Sequence, residues 1–236
     1  MQPDLQTVHS NGALSQRTGE LALGQNRVLR NTYLLLAITM IPTIVGAMVG
    51  VNTNFSFLRA YPIAGPIGMF LVMMGLLFGV SKLRNSVWGI GLLLGFTFVA
   101  GWFLGPILQV ALGLSNGAQL VGLAAGGTGV IFATMAGIAT VTKRDFSFLG
   151  KFLLIGLVLL IVASLANLFF QIPALALTLS AVAVLLFSVF ILYDVSRIVS
   201  GGETNYVMAT MALYLDIYNL FVNLLNLLMA FAGNRD

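Results

Sequence analysis

The chain has 236 residues, 59% of them hydrophobic and only 8% charged, with a formal net charge of +4. A soluble domain carries roughly 25% charged residues, so there is too little charge here to cover a water-facing surface. The composition, with a mean hydropathy of +1.01, excludes a water-soluble globular domain and leaves a polytopic membrane protein whose first partner is the lipid bilayer.

Cysteine is absent, which excludes disulfides, thiolate metal sites and cysteine nucleophiles. The single histidine is His9, in the polar N-terminal stretch, so no histidine-based metal site or Ser–His couple lies within the apolar part. The positive charge is spread over the segments between apolar runs, where its usual job is topology. It is not a nucleic-acid signal.

In chain order, residues 1–26 are polar and lack apolar periodicity, and they read as a flexible cytoplasmic tail. They lack the basic start, apolar run and small-residue cleavage site of a signal peptide, so no cleavage is expected. Residues 27–236 read as one seven-helix transmembrane domain. The apolar runs cover about 32–51, 63–80, 87–111, 118–141, 150–170, 174–199 and 206–232, each close to the 20 or so residues that a hydrocarbon core of ~30 Å requires. Breakers separate them, among them Asn52 to Asn54, Pro62, Lys82 to Asn85, Lys143 to Asp145, Gln171 to Pro173, and Gly201 with Gly202. Alternate loops hold Arg17, Arg27, Arg30, Lys82, Arg84, Lys143, Arg144, Lys151 and Arg197 on one side, against Arg59 and Arg235 on the other. That bias places the N-terminus in the cytoplasm and the C-terminus outside.

Gly91 with Gly95, and Gly101 with Gly105, have the small-xxx-small spacing that lets membrane helices approach closely. Gly122, Gly126, Gly129 and Gly137 are read in the same way. "GGTG" at Gly126 to Gly129 resembles a phosphate loop only superficially, because it follows no strand and lacks the P-loop lysine. Pro106 in "LGPIL" falls inside a span and is expected to kink it.

Two acidic residues lie inside apolar runs: Asp194 in "ILYDVSRIV" and Asp216 in "LYLDIYNLFVNLLNLL". The two runs are antiparallel neighbours joined by "SGGETNY", and counting from Glu203 leaves the acids roughly 6 Å apart in depth, about one helical turn. They can therefore meet. At about 100° per residue, Asp216, Asn219, Asn223 and Asn226 share an arc of about 80°, with Tyr214 and Tyr218 on the other side. Such a stripe is costly against lipid tails, so the last helix is expected to be strongly buried at the centre of the bundle. The asparagines then serve either as interhelical hydrogen-bond glue or as the lining of a pathway. Asp194 stands three residues from Arg197 and also reads as one half of an ordinary ion pair.

Two adjacent carboxylates in a low dielectric cannot both ionise without large cost, so they share a proton. The pair is then a proton-sensitive latch. Asp194 and Asp216 are also hard oxygen ligands suited to Ca²⁺, in a number that fits transient passage rather than a tight site. No other cofactor is expected. Tyr193-Asp194 is similar to the Tyr-Asp pair of aspartic intramembrane proteases. Asp216, however, follows "LYL" where such enzymes place Gly-x-Gly, and "PAL" at Pro173 to Leu175 comes before both acids rather than after them. The chain is read as not an enzyme.

Taken in order, "RNTYLLLA", "LGPIL", "KRDFSFLG", "GGETNYV" and "LYLDIYNLFVNLL" resemble the Bax inhibitor-1 family, from about Arg27 to the C-terminus. The nearer resemblance is to its bacterial branch, which includes a modulator of the FtsH membrane protease. The resemblance implies a seven-helix fold with the last helix at the centre, in the bacterial inner membrane. It also implies a pH-sensitive calcium leak latched by aspartates on the sixth and seventh helices, positions that fall on Asp194 and Asp216. The loops around "GGETNY" imply the alternative, a regulatory partner of FtsH. Oligomeric state is left open.

Overall fold

Hydrocarbon offers peptide groups no hydrogen-bond partner, so an apolar run that enters it folds as a helix that satisfies its own backbone. A computed structural model describes the backbone of residues 5–142 and 144–232, with side chains from Gly24 onward except that of Arg59. It contains α1 (Leu5–Val51), a short α2 (Ser56–Ala60), α3 (Ala64–Leu83), α4 (Val87–Phe103), α5 (Gly105–Leu112), α6 (Gly117–Thr142), α7 (Gly150–Phe170), α8 (Pro173–Val199) and α9 (Tyr206–Ala232). No strand occurs among the described residues. Seven segments are long and apolar enough to cross a membrane: Gly24–Val51, Ala64–Leu83, Val87–Leu112, Gly117–Thr142, Ser147–Phe170, Pro173–Val199 and Tyr206–Ala232. The protein is an all-α, multi-pass membrane protein.

The N-terminal stretch differs from expectation. The backbone is helical from Leu5 and runs unbroken into the first span. "ALSQRTGELALGQNRVLR" is rich in good helix formers, and extending an existing helix costs far less than starting one.

Pro106 gives a break rather than a kink. α4 ends at Phe103, Leu104 bridges, and Pro106 occupies the first turn of α5, where its missing N–H leaves no helical bond unmade. The break is closed by Gln109, whose amide donates to the carbonyls of Gly50, Val51 and Thr53 at 3.1, 3.0 and 2.7 Å, capping the end of α1.

The glycine spacings separate into two classes. Gly101 and Gly105 pack as expected: a Cβ added at Gly101 would stand 2.1 Å from the Thr43 carbonyl oxygen, and one at Gly105 2.5 Å from that of Gly50. Their counterparts on α1 are Gly46 and Gly50, equally tight against Phe98 and Trp102 backbone. Gly91, Gly95, Gly122, Gly126, Gly129 and Gly137 are a correction, because an added Cβ at each would meet nothing within 4 Å. Small-xxx-small spacing reports a helical face, and that face is as easily turned outward as toward a neighbour.

The core between the helices is built from Val80, Leu93, Phe96, Ile191, Val195, Leu213, Tyr214 and Leu220, all nearly inaccessible. α9 packs against α1, α4, α5, α6 and α8, and Phe231 is its one exposed residue. The outward faces carry large apolar side chains, such as Phe152, Ile155 and Leu159 of α7, as a surface bathed in lipid requires.

Candidate functional site: the membrane-embedded acid pair

The hairpin that carries the two acids is held by its turn. Gly201 adopts φ +81°, open to glycine at no steric cost. The N–H groups of Gly202 and Glu203 then fold back onto the Arg197 carbonyl at 2.8 and 3.1 Å, ending α8. Glu203 accepts the Asn205 N–H at 2.9 Å. Asn205 in turn caps α9, accepting the N–H groups of Val207 and Met208 at 3.0 Å each. Its amide nitrogen also donates to Asn85 at 2.7 Å, fixing the hairpin to the α3–α4 turn.

So positioned, α8 and α9 bring Asp194 and Asp216 within hydrogen-bonding reach of each other. Asp216 is 5% exposed, and its Oδ2 is buried without any hydrogen-bond partner. An orphaned carboxylate oxygen in such surroundings is costly. A proton held between the two carboxyls, or a cation, is what can satisfy it.

Asp194 is shared. Its Oδ1 lies 3.8 Å from the Arg197 guanidinium, which is also 3.8 Å from Glu203 and sits over the Tyr193 ring at 5.6 Å. Asp194 thus has Arg197 as a charged neighbour one turn away, besides Asp216 on the adjoining helix. Arg197 is about one-third exposed, so its pull on Asp194 is partly screened.

The asparagines depart from the glue expectation. Asn219 donates to the Leu215 carbonyl and Asn223 to that of Asn219, each at 2.8 Å and within α9. The carbonyl one turn back is the nearest acceptor, so a short amide satisfies itself locally. Asn226 is half-buried like the other two. None of the three lines the large cavity of the bundle, which lies on the tyrosine face of α9.

Two parts of the site were given no role by the sequence. Ser196, two residues beyond Asp194, donates to the Arg144 carbonyl and accepts the Phe146 N–H, both at 3.0 Å. It docks the segment from Arg144 to Phe146 onto α8 near Asp194. There Asp145 accepts the Ser147 N–H at 2.8 Å and its hydroxyl, which hold its carboxyl below the usual carboxylate range. The second is Tyr214, whose hydroxyl meets Thr43 at 2.9 Å and the Thr97 carbonyl at 3.3 Å, joining α9 to α1 and α4. A hydroxyl side chain in an apolar run was the available signal in both cases. Among the described residues no group of three His, Cys, Asp or Glu side chains is placed to hold a metal ion.

A family model described as inhibitor of apoptosis-promoting Bax1 matches residues 25–233. The chain belongs to the Bax inhibitor-1 family. Within this family it is 39% identical over 206 residues to the modulator of FtsH protease YccA of Escherichia coli, covering 87% of this chain and 91% of that one. In a second Escherichia coli strain the relative with the same identity and coverage is named inner membrane protein YccA. An uncharacterized membrane protein of Vibrio cholerae is 40% identical over 221 residues, 92% of this chain and 96% of the relative. A Neisseria meningitidis protein is 41% identical over 214 residues, 89% and 94% of the two chains.

Proposed function

We propose that this Bax inhibitor-1 family member is a proton-sensitive cation leak of the bacterial inner membrane, with its N-terminus cytoplasmic and its C-terminus outside. The observation that carries the reading is the acid pair: Asp194 and Asp216 on adjoining membrane helices, within reach of each other, with one Asp216 oxygen buried and unsatisfied. A single proton shared by the two carboxyls latches α8 to α9. Its loss leaves two like charges in a low dielectric, which favours separation of the helices or arrival of a cation. Arg197 offers Asp194 a second partner once the shared proton has gone. Ca²⁺ suits the carboxylate oxygens as a hard cation, and the small number of ligands favours passage over storage. The role is transport rather than catalysis. The test is Ca²⁺ flux into liposomes carrying the purified protein, measured across a pH series. We expect pH-dependent flux that Asp216→Asn and Asp194→Asn each flatten; an unchanged profile in both variants sinks the latch.

A second reading is favoured by the 39% identity to the Escherichia coli FtsH modulator across nearly the whole chain. We infer that the chain also binds a membrane protease of that class and slows its turnover of substrates. The polar, helical start of α1, ahead of the apolar Gly24–Val51 segment, is a natural contact. Co-purification after mild crosslinking, together with slower substrate degradation, is the expected result. Absence of any crosslink to the protease counts against it.

A further inference from the structure

A large apolar groove lies between α1 and α6, on the side of α9 away from Asp216. Its volume is about 860 Å³, and its floor includes Tyr214, Tyr218 and Phe221. Among the described residues α1 and α6 are not a closely packed pair, and the rim between them opens to the lipid-facing surface. Ile44 and Met48 on α1, and Ala125 and Gly129 on α6, are exposed there.

The walls identify the occupant. Among the described residues no Asp, Glu, Lys, Arg or His lines the groove. The Tyr214 hydroxyl is already engaged with Thr43 and the Thr97 carbonyl, so this floor residue presents its ring rather than a free hydroxyl. One end is closed where Tyr33 and Phe132 meet edge to face, centroids 6.1 Å apart. The other end reaches Asn52, an exposed polar residue at the end of α1. On α1 the lining runs from Tyr33 to Asn52, about 28 Å along the helix, close to the full depth of a core of about 30 Å. The volume lies within the roughly 300–1,000 Å³ typical of small-molecule pockets, and the opening is continuous with the lipid-facing surface.

We propose that this groove is a binding site for an acyl chain of a bilayer phospholipid. The chain enters from the leaflet at the Asn52 end and rests against Tyr214 and Tyr218. Its occupancy loads the face of α9 opposite the acid pair. The site is independent of the ion-leak reading, because it is tested by binding and not by flux. The protein is reconstituted in nanodiscs of phosphatidylethanolamine and phosphatidylglycerol, released in mild detergent, and weighed by native mass spectrometry. Gly129→Trp plugs the groove where an added side chain meets nothing. Gly122→Trp makes the same change on α6 outside the groove. Ala125→Phe is a smaller plug, should tryptophan impede folding. Wild type and Gly122→Trp are expected to retain a bound phospholipid, and both plugged variants to lose it several-fold. Release of wild type free of lipid, equal retention by folded plugged variants, loss from Gly122→Trp as well, or a lipid-free dimer each overturns the proposal.

Discussion

Several hydroxyl and amide side chains inside the spans share one local rule, which Asp216 cannot follow. Thr32, Thr39, Thr128 and Ser188 each donate to a carbonyl three or four residues back, and Asn219 and Asn223 do the same with their amides. A carboxylate has no proton to donate in this way, so Asp216 must look to Asp194. That asymmetry made the acid legible in the sequence and made the asparagines misleading: a stripe shows where polar groups are, not where their donors go. Outside the membrane, Asp145 shows the opposite electrostatics. The Ser147 donors favour its charged form and lower its titration midpoint. The loop contact is therefore present above the ordinary carboxylate value of about 3.9 and is lost as pH falls through the lower folded value. We expect Ser147→Ala to raise that midpoint toward about 3.9, as read by NMR of carboxyl-labelled aspartate. A midpoint that stays depressed would assign the shift to another cause.

Among the elements, the positions of the spans were plain because each apolar run has the length of a bilayer and ends in Gly, Pro, Asn or charge. The α8–α9 turn was equally readable in "GGETNY", where glycine, acid and capping amide each have a defined job. Helix pairing was only half readable. Gly46, Gly50, Gly101 and Gly105 meet the facing helix's backbone at distances that admit no side chain, whereas Gly95 has the same kind of spacing and open space around it. Period alone cannot tell a neighbour from lipid. We expect Gly101→Ala to force α1 and α4 apart at Thr43, at a cost of about 1–3 kcal/mol or more. Gly95→Ala is expected to be neutral or to gain up to about 1 kcal/mol from lower backbone entropy. Thermal unfolding in detergent compares the two; equal shifts would mean that the close approach is not what holds α1 to α4.

For the molecule as a whole, α9 has two distinct faces. One carries Asp216 toward Asp194, and the other forms the floor of the apolar groove through Tyr214 and Tyr218. The first face was legible because ionisable groups are rare in apolar runs and costly there. The groove was not, since its lining comes from α1, α5, α6 and α9 and consists of residues that look the same when they face lipid. α9 touches five other helices, so a change in charge at Asp216 bears on the packing of most of the bundle. In the proposed mechanism a proton shared by Asp194 and Asp216 controls cation passage. The most direct measurement is the Ca²⁺ flux of liposomes stepped through pH, with wild type and Asp216→Asn side by side. We expect wild-type flux to change with pH and the variant, which cannot share a proton between two carboxylates, to lose that dependence. A variant that follows the wild-type profile would contradict the claim.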